Sequence, residues 1–167
     1  IMPENAPKIK INNTKNYGAE VILYDPKKEN REEIGNKISR DENRTLIKPY
    51  DDPNVIAGQG TAGLEITEQA KDLGIDGADL LVCCGGGGLT SGIALACAEN
   101  AKNFKVHPVE PAGFDDVARS LISGKRETND NNSSSLCDAI VTPSPGILTF
   151  PILKDFCYPG MVVTESE

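Results

Sequence analysis

The order of apolar and polar segments predicts an α/β fold, a three-layer arrangement in which a parallel sheet carries helices on both faces. Two observations carry this. In the second half, apolar β-branched runs at residues 79–84 and 104–110 alternate with helix-like segments at 90–100 and 115–123, and strands that alternate with helices pair in parallel through crossovers. In the first half, E-V-I-L-Y at residues 20–24, a charged segment at 29–42 and a short run at 45–48 read as a β-α-β unit.

The elements follow in order. Ile9, Ile11 and Tyr17 interleaved with Lys8, Lys10 and Lys15 predict a short helix over residues 7–17, which Gly18 ends as its C-cap. Asp25-Pro26 is a turn that opens the charged helix. Y-D-D-P-N at residues 50–54 is a polar connector, so a boundary is expected there between two lobes, residues 1–53 and 54–167. V-I-A-G-Q-G-T then leads into a helix ending near Leu73. Residues 125–135 are rich in Asn and Ser and read as a surface loop. Pro143, Pro145 and Pro151 suit an extended segment followed by a short helix from Thr149, carrying the chain back across the core.

Composition narrows the function. The chain has 167 residues, of which 38% are hydrophobic, enough to bury a core. Its net charge of -8 repels polyanions, so nucleic acid is not expected as a partner. No apolar run approaches the roughly 20 residues that cross a bilayer, and the N-terminus lacks a signal-peptide core, so no membrane partner and a cytoplasmic home are expected. Cys83, Cys84, Cys97, Cys137 and Cys157 form no C-x-x-C pair and read as buried thiols. Ile1 is not an initiator and Glu167 ends a polar run where a helix should start, so the sequence reads as a fragment.

The strongest motif is D-L-L-V-C-C-G-G-G-G-L-T-S-G-I-A-L-A: an apolar strand, the four glycines Gly85, Gly86, Gly87 and Gly88, and a small-residue helix. Without Cβ atoms the backbone can bend sharply and aim several N–H groups at one point. The following helix N-terminus adds about half a positive charge. An anion, and a phosphate in particular, fits both features. A Walker A loop would need G-K-[ST], whereas Leu89 and Thr90 follow here. A G-x-G-x-x-G frame puts Thr90 or Ser91 at its third glycine, yet Glu110 lies 22 residues beyond Gly88, where a ribose-binding acid would sit. Dinucleotide binding therefore stays open on the residues alone.

The segment C-G-G-G-G-L-T-S-G-I resembles the tetraglycine loop of fold-type II pyridoxal-phosphate (PLP) enzymes, the tryptophan synthase β-like group that includes threonine/serine dehydratases and serine racemases. M-P-E-N-A-P-K-I-K, Y-G-A-E-V, V-I-A-G-Q-G-T, V-E-P-A-G-F-D-D and V-V-T-E-S-E resemble that family in the same order, so the resemblance covers essentially the whole chain. It implies that Gly85, Gly86, Gly87, Gly88 and Leu89 bind the cofactor phosphate through backbone amides, and that residues 1–53 and 54–167 are parts of a small lobe and of the large PLP-binding lobe. It also implies that Glu110, the carbonyl of Phe114, and Asp116 hold a divalent cation, Mg²⁺ or Ca²⁺, a hard-oxygen set that such ions favour. The competing role is that Asp115 or Asp116 caps the helix that starts there.

The family's Schiff-base lysine in an S-F-K-like segment, its S-x-G-N-like loop and its pyridine-nitrogen partner do not occur here, so no catalytic residue is assigned. His107, the single histidine, reads as a structural or surface residue beside Pro108. The resemblance implies an ammonia-lyase, homo-oligomeric in its full-length form, that takes a small β-hydroxy amino acid (threonine, serine or 3-hydroxyaspartate) to a keto acid and ammonia, of which this chain is an incomplete piece expected to be inactive alone. Racemase activity, a standalone nucleotide-binding domain and a non-catalytic remnant are the alternatives.

Overall fold

The computed structural model describes residues 1–130 and 134–167, and the chain divides into two compact units, Ile1–Ile47 and Lys48–Glu167. In the first unit β1 (Met2–Pro3) pairs in parallel with β2 (Leu23–Tyr24), and α1 (Lys8–Asn16) and α2 (Arg31–Asp41) follow the two strands. Gly18 closes α1 at φ +83°, a left-handed turn that a Cβ would disfavour. The Asn30 side chain accepts from the N–H groups of Glu32 and Glu33 at 2.9 and 3.4 Å and so starts α2.

Two expectations fail in this unit. The strand expected over residues 20–24 is two residues long, and residues 45–48 form no strand, so the β-α-β unit expected over residues 20–48 is absent and the parallel pair is formed instead by β1 and β2 across α1. A strand exists only as far as its partner's ladder extends, and the partner of β2 is the two-residue β1.

The second unit runs α3 (Pro53–Asp72), β3 (Asp79–Cys83), α4 (Gly88–Asn100), β4 (Lys105–Pro111), α5 (Asp116–Ser123), α6 (Thr149–Phe156) and β5 (Met161–Val163). The sheet order is β3-β4-β5, all parallel, with Asp79 opposite Lys105 and Val109 opposite Met161, and helices lie on both sides. The α/β expectation holds. Its core joins Val82, Val106 and Phe104 to Ile93, Ala94 and Cys97 of α4 and Ala70 of α3, and a second cluster joins Cys84, Val117 and Leu153.

Asp52 accepts from the N–H groups of Asn54 and Val55 at 2.8 and 3.3 Å, and Pro53 occupies the first turn, where its missing N–H costs nothing. V-I-A-G-Q-G-T is therefore inside α3 and does not precede it. Gly60 of this segment and Gly63 one turn on serve a helix contact: a Cβ on Gly63 would lie 2.7 Å from the Ala96 Cβ, and one on Gly92 of α4 would lie 2.5 Å from the Gly60 N and the Ile56 O, whereas one on Gly58 would meet nothing within 4 Å.

Two further readings need correction. Of the five cysteines, Cys84 and Cys97 are buried and Cys157 is half-buried, but Cys83 and Cys137 are exposed. β3 ends its sheet, and alternation turns Cys83 away from the face that buries Val82 and Cys84. The loop expected at 125–135 is not wholly superficial either. Asn129 is buried, donating to the Asp116 carboxylate and to the Thr142 carbonyl, while residues 131–133 lie outside the described residues. Among the described residues no helix is long and apolar enough to cross a membrane.

Candidate functional site

The glycine loop lies at the carboxyl end of β3, where ligands of open parallel sheets gather. The ladder continues one residue past β3, with the Cys84 N–H bonded to the Val109 carbonyl at 2.9 Å, and the chain then turns through Gly85, Gly86 and Gly87. Gly87 has φ +94° and is the N-cap of α4; its carbonyl accepts the first helical bond, from the Ser91 N–H at 2.8 Å. Gly87 has no side chain with which to cap α4, and no capping bond is made there among the described residues. The N–H groups of Gly88, Leu89 and Thr90 precede that first bond, so the positive end of the helix dipole is left for a ligand.

Packing also favours each glycine, most strongly Gly86, Gly87 and Gly88. A Cβ on Gly86 would come within 2.2–2.4 Å of the Tyr50 ring, and one on Gly88 would lie 2.9 Å from the Tyr50 Cα. At Gly85 it would lie 3.1 Å from the Ile140 Cα, and at Gly87 2.7 Å from the Leu153 Cδ1. At Gly86, Gly87 and Gly88 the neighbours come so close that a Cβ would force a shift, while at Gly85 the Ile140 backbone would have to give by a few tenths of an ångström.

Residues that the sequence reading passed over hold this loop. The Gly86 carbonyl accepts from the Thr149 Oγ1 at 2.6 Å and from the Gly146 N–H at 3.1 Å. The Asp51 carboxylate accepts from the N–H groups of Ile147, Leu148 and Thr149 at 3.0, 2.8 and 3.3 Å, and so caps α6 from a segment 97 residues away. Y-D-D reads as a polar connector because nothing local shows that Asp51 and Asp52 start two different helices.

Glu110 and Asp116 come together at the carboxyl end of β4. Glu110 is fully buried, and its two oxygens accept from the N–H groups of Val117 and Ala118 at 2.9 and 2.7 Å. Neither Asp115 nor Asp116 caps α5, contrary to the competing reading; Glu110 satisfies its first turn from the neighbouring strand.

Burial pushes the Glu110 carboxyl up to about 8 against the opposing pull of those two N–H donors, and burial likewise pushes Asp116 up to about 6 against the Asn129 amide. One Asp116 oxygen, Oδ2, is buried without a hydrogen-bond partner among the described residues. Phe114 is half-buried beside Gly113, which has φ +84°. Among the described residues no group of three or more His, Cys, Asp or Glu side chains gathers as a metal cluster.

His107 lies toward the opposite end of the sheet from the glycine loop. It is buried, with Nδ1 3.0 Å from the Pro159 carbonyl and Nε2 3.0 Å from the Asp79 Oδ1, and ties three segments together. A depression of about 630 Å³ lined by Lys71, Asn103 and Phe104 also lies at that end, where α3 and α4 finish, away from the loop.

A glycine loop that joins a parallel strand to a helix N-terminus is an arrangement by which α/β proteins can accommodate an anionic group. A family model described as pyridoxal-phosphate dependent enzyme matches residues 1–167, and the chain belongs to that family. Its fold is the fold-type II arrangement. Over 167 residues it is 41% identical to the serine racemase of Schizosaccharomyces pombe, and 37% identical to the L-threo-3-hydroxyaspartate ammonia-lyase of Saccharomyces cerevisiae. Each match covers 100% of this chain and 50% of the relative, so the chain spans about half the length of the curated relatives it matches. The structure of maize serine racemase superposes with a TM-score of 0.88 at 34% identity, covering 99% of this chain and 49% of that one.

Proposed function

We propose that this chain provides the phosphate-anchoring part of a PLP-dependent ammonia-lyase that converts a β-hydroxy amino acid, threonine, serine or 3-hydroxyaspartate, to a keto acid and ammonia. The observation that carries the reading is the left-handed Gly87 at an uncapped α4 N-terminus. In this reading Gly85, Gly86, Gly87, Gly88 and Leu89 hold the phosphate by backbone N–H groups. Their donors are fixed before binding, so little ordering entropy is lost. The bound cofactor supplies the electron sink for bonds broken at the amino acid's α-carbon. The chain's own contribution is orientation: the loop fixes one end of the cofactor, and the close walls at Tyr50 and Leu153 limit where its phosphate can sit. No lysine of this chain is assigned the role of bonding to the cofactor. Residues 1–53 and 54–167 are taken as parts of the small and the PLP-binding lobes.

A thermal-shift titration with PLP and, separately, with pyridoxal tests the reading. PLP is expected to raise the melting temperature, pyridoxal to do so far less, and Gly86→Asp to lose the gain because its side chain would collide with the Tyr50 ring and displace the loop. Equal shifts from both compounds would refute the phosphate role.

Racemization of the same amino acids is a second reading, favoured by the 41% identity to a protein named serine racemase. Incubation of the assembled enzyme with L-serine, followed by chiral analysis and keto-acid assay, separates the two activities. We further propose that Glu110, the Phe114 carbonyl and Asp116 hold Mg²⁺ or Ca²⁺. The support is the pair of buried neighbouring carboxylates and the unpartnered Asp116 Oδ2, for which a hard cation would be a fitting partner.

A further inference from the structure

A threonine hydroxyl buried at the start of a helix ordinarily satisfies itself on its own helix. Thr149 does otherwise. It is fully buried, and its Oγ1 donates to the Gly86 carbonyl, 63 residues away, at 2.6 Å. The Gly146 N–H donates to the same carbonyl at 3.1 Å. A carbonyl oxygen has two lone pairs, so this one is saturated.

The consequence runs through the peptide plane. In a trans peptide the C=O of one residue and the N–H of the next point in opposite directions within one rigid plane. Two donors that pin the Gly86 carbonyl toward α6 therefore pin the Gly87 N–H away from α6. Without them a glycine-glycine peptide could rotate as a unit at small cost, since neither residue has a Cβ to restrict it.

Thr149 also grips the helix that follows the loop. The Ser91 Oγ of α4 donates to the Thr149 carbonyl at 3.4 Å, and Ser91 is fully buried. Thr149 is itself located by Asp51, whose carboxylate accepts its N–H at 3.3 Å with those of Ile147 and Leu148. One residue thus sets the loop peptide relative to the first turn of α4, the two sources of N–H donors in the proposed cradle.

We infer that Thr149 is a positioning residue for phosphate binding, acting through the Gly86 carbonyl to aim the Gly87 N–H at the anion, with Asp51 holding Thr149 in place. This rests on the reading of the glycine loop as a phosphate cradle. Thr149 does not touch the phosphate in this account. Its effect is confined to the phosphate end of the ligand.

The test compares Thr149→Val, which keeps the shape and removes the donor, with Thr149→Ser, which keeps the hydroxyl. Dissociation constants are measured for PLP and for pyridoxal, and the Gly87 amide is followed by ¹⁵N NMR while inorganic phosphate is added. Thr149→Val is expected to weaken PLP binding about three- to tenfold, the range of one hydrogen bond. Pyridoxal binding should stay unchanged, the phosphate response of the Gly87 amide should shrink, and Thr149→Ser should restore both. A valine variant that keeps the wild-type preference for PLP and the wild-type Gly87 response overturns the inference. A wild-type chain with no such preference and no amide response overturns the cradle reading itself, and the inference falls with it. Should circular dichroism show the valine variant unfolded, Asp51→Asn carries the same comparison. It loosens the start of α6 without touching Gly86, and an unchanged preference for PLP there would count against the inference.

Discussion

Glu110 shows how one side chain can answer to several sequence patterns. An acid at the end of a strand, 22 residues past a glycine loop, suits a ribose, a metal ion or a helix cap equally well. In the fold its oxygens accept from the Val117 and Ala118 N–H groups, an arrangement that depends on how the chain turns between β4 and α5. Asp116 is different, because one oxygen takes the Asn129 amide and the other has no partner among the described residues. If a cation belongs there, Mg²⁺ at about a hundredfold excess over its dissociation constant should add about 2.7 kcal/mol of stability, or several degrees in melting temperature. Asp116→Asn should abolish the gain, and an unchanged melting temperature in the wild type would remove the metal from this site. Asp51 had no signal of its own in the sequence, since its three acceptor contacts reach across 96 to 98 residues.

Between elements, the contact of α3 with α4 explains glycines that lower helix propensity and yet stand inside helices. Gly60 and Gly63 on α3 meet Gly92 and Ala96 on α4, and the nearest neighbours of a Cβ on Gly92 are backbone atoms, which cannot rotate aside. Gly92→Ala is therefore expected to destabilise the chain by about 1–3 kcal/mol, measured as a lower urea midpoint. An unchanged midpoint would mean that the helices separate easily. This contact also stiffens the base of the glycine loop, because α4 is the helix whose first turn faces the proposed phosphate. The strands differ in how far the sequence shows them, for a related reason. β3 and β4 pair over five residues and were visible as apolar runs, whereas β5 pairs over three and was not anticipated. Gly160, just before β5, lies where a Cβ would come within 2.9 Å of Ala118, so that short strand depends on a close tertiary approach.

Across the whole molecule, the thiols report burial in a way that composition cannot. Burial pushes the Cys84 thiol far up and the Cys157 thiol up to about 12, and raises Cys97 as well. Thiolate is the reactive form, so these three should resist alkylation at neutral pH. Iodoacetamide is expected to modify Cys83 and Cys137 first and the other three only after denaturation, with the order read by mass spectrometry of peptides. Rapid labelling of Cys84 in native protein would show that the cluster it forms with Val117 and Leu153 opens readily.

The sequence by itself determined the α/β class, the parallel pairing of the main strands, the glycine loop and the PLP-enzyme family, because these follow from local periodicity, from consecutive glycines and from motifs in a fixed order. Tertiary structure alone decided what the intervening polar residues do. Asp51 caps a helix nearly a hundred residues away, Glu110 caps one from a neighbouring strand, and Thr149 holds a loop carbonyl 63 residues distant. A buried polar group must find a partner wherever the fold brings one, and that partner's identity depends on chain path and not on neighbouring sequence. Cys83 and Cys84 make the same point at adjacent positions: equal in composition, one is exposed and the other buried because a strand alternates its faces.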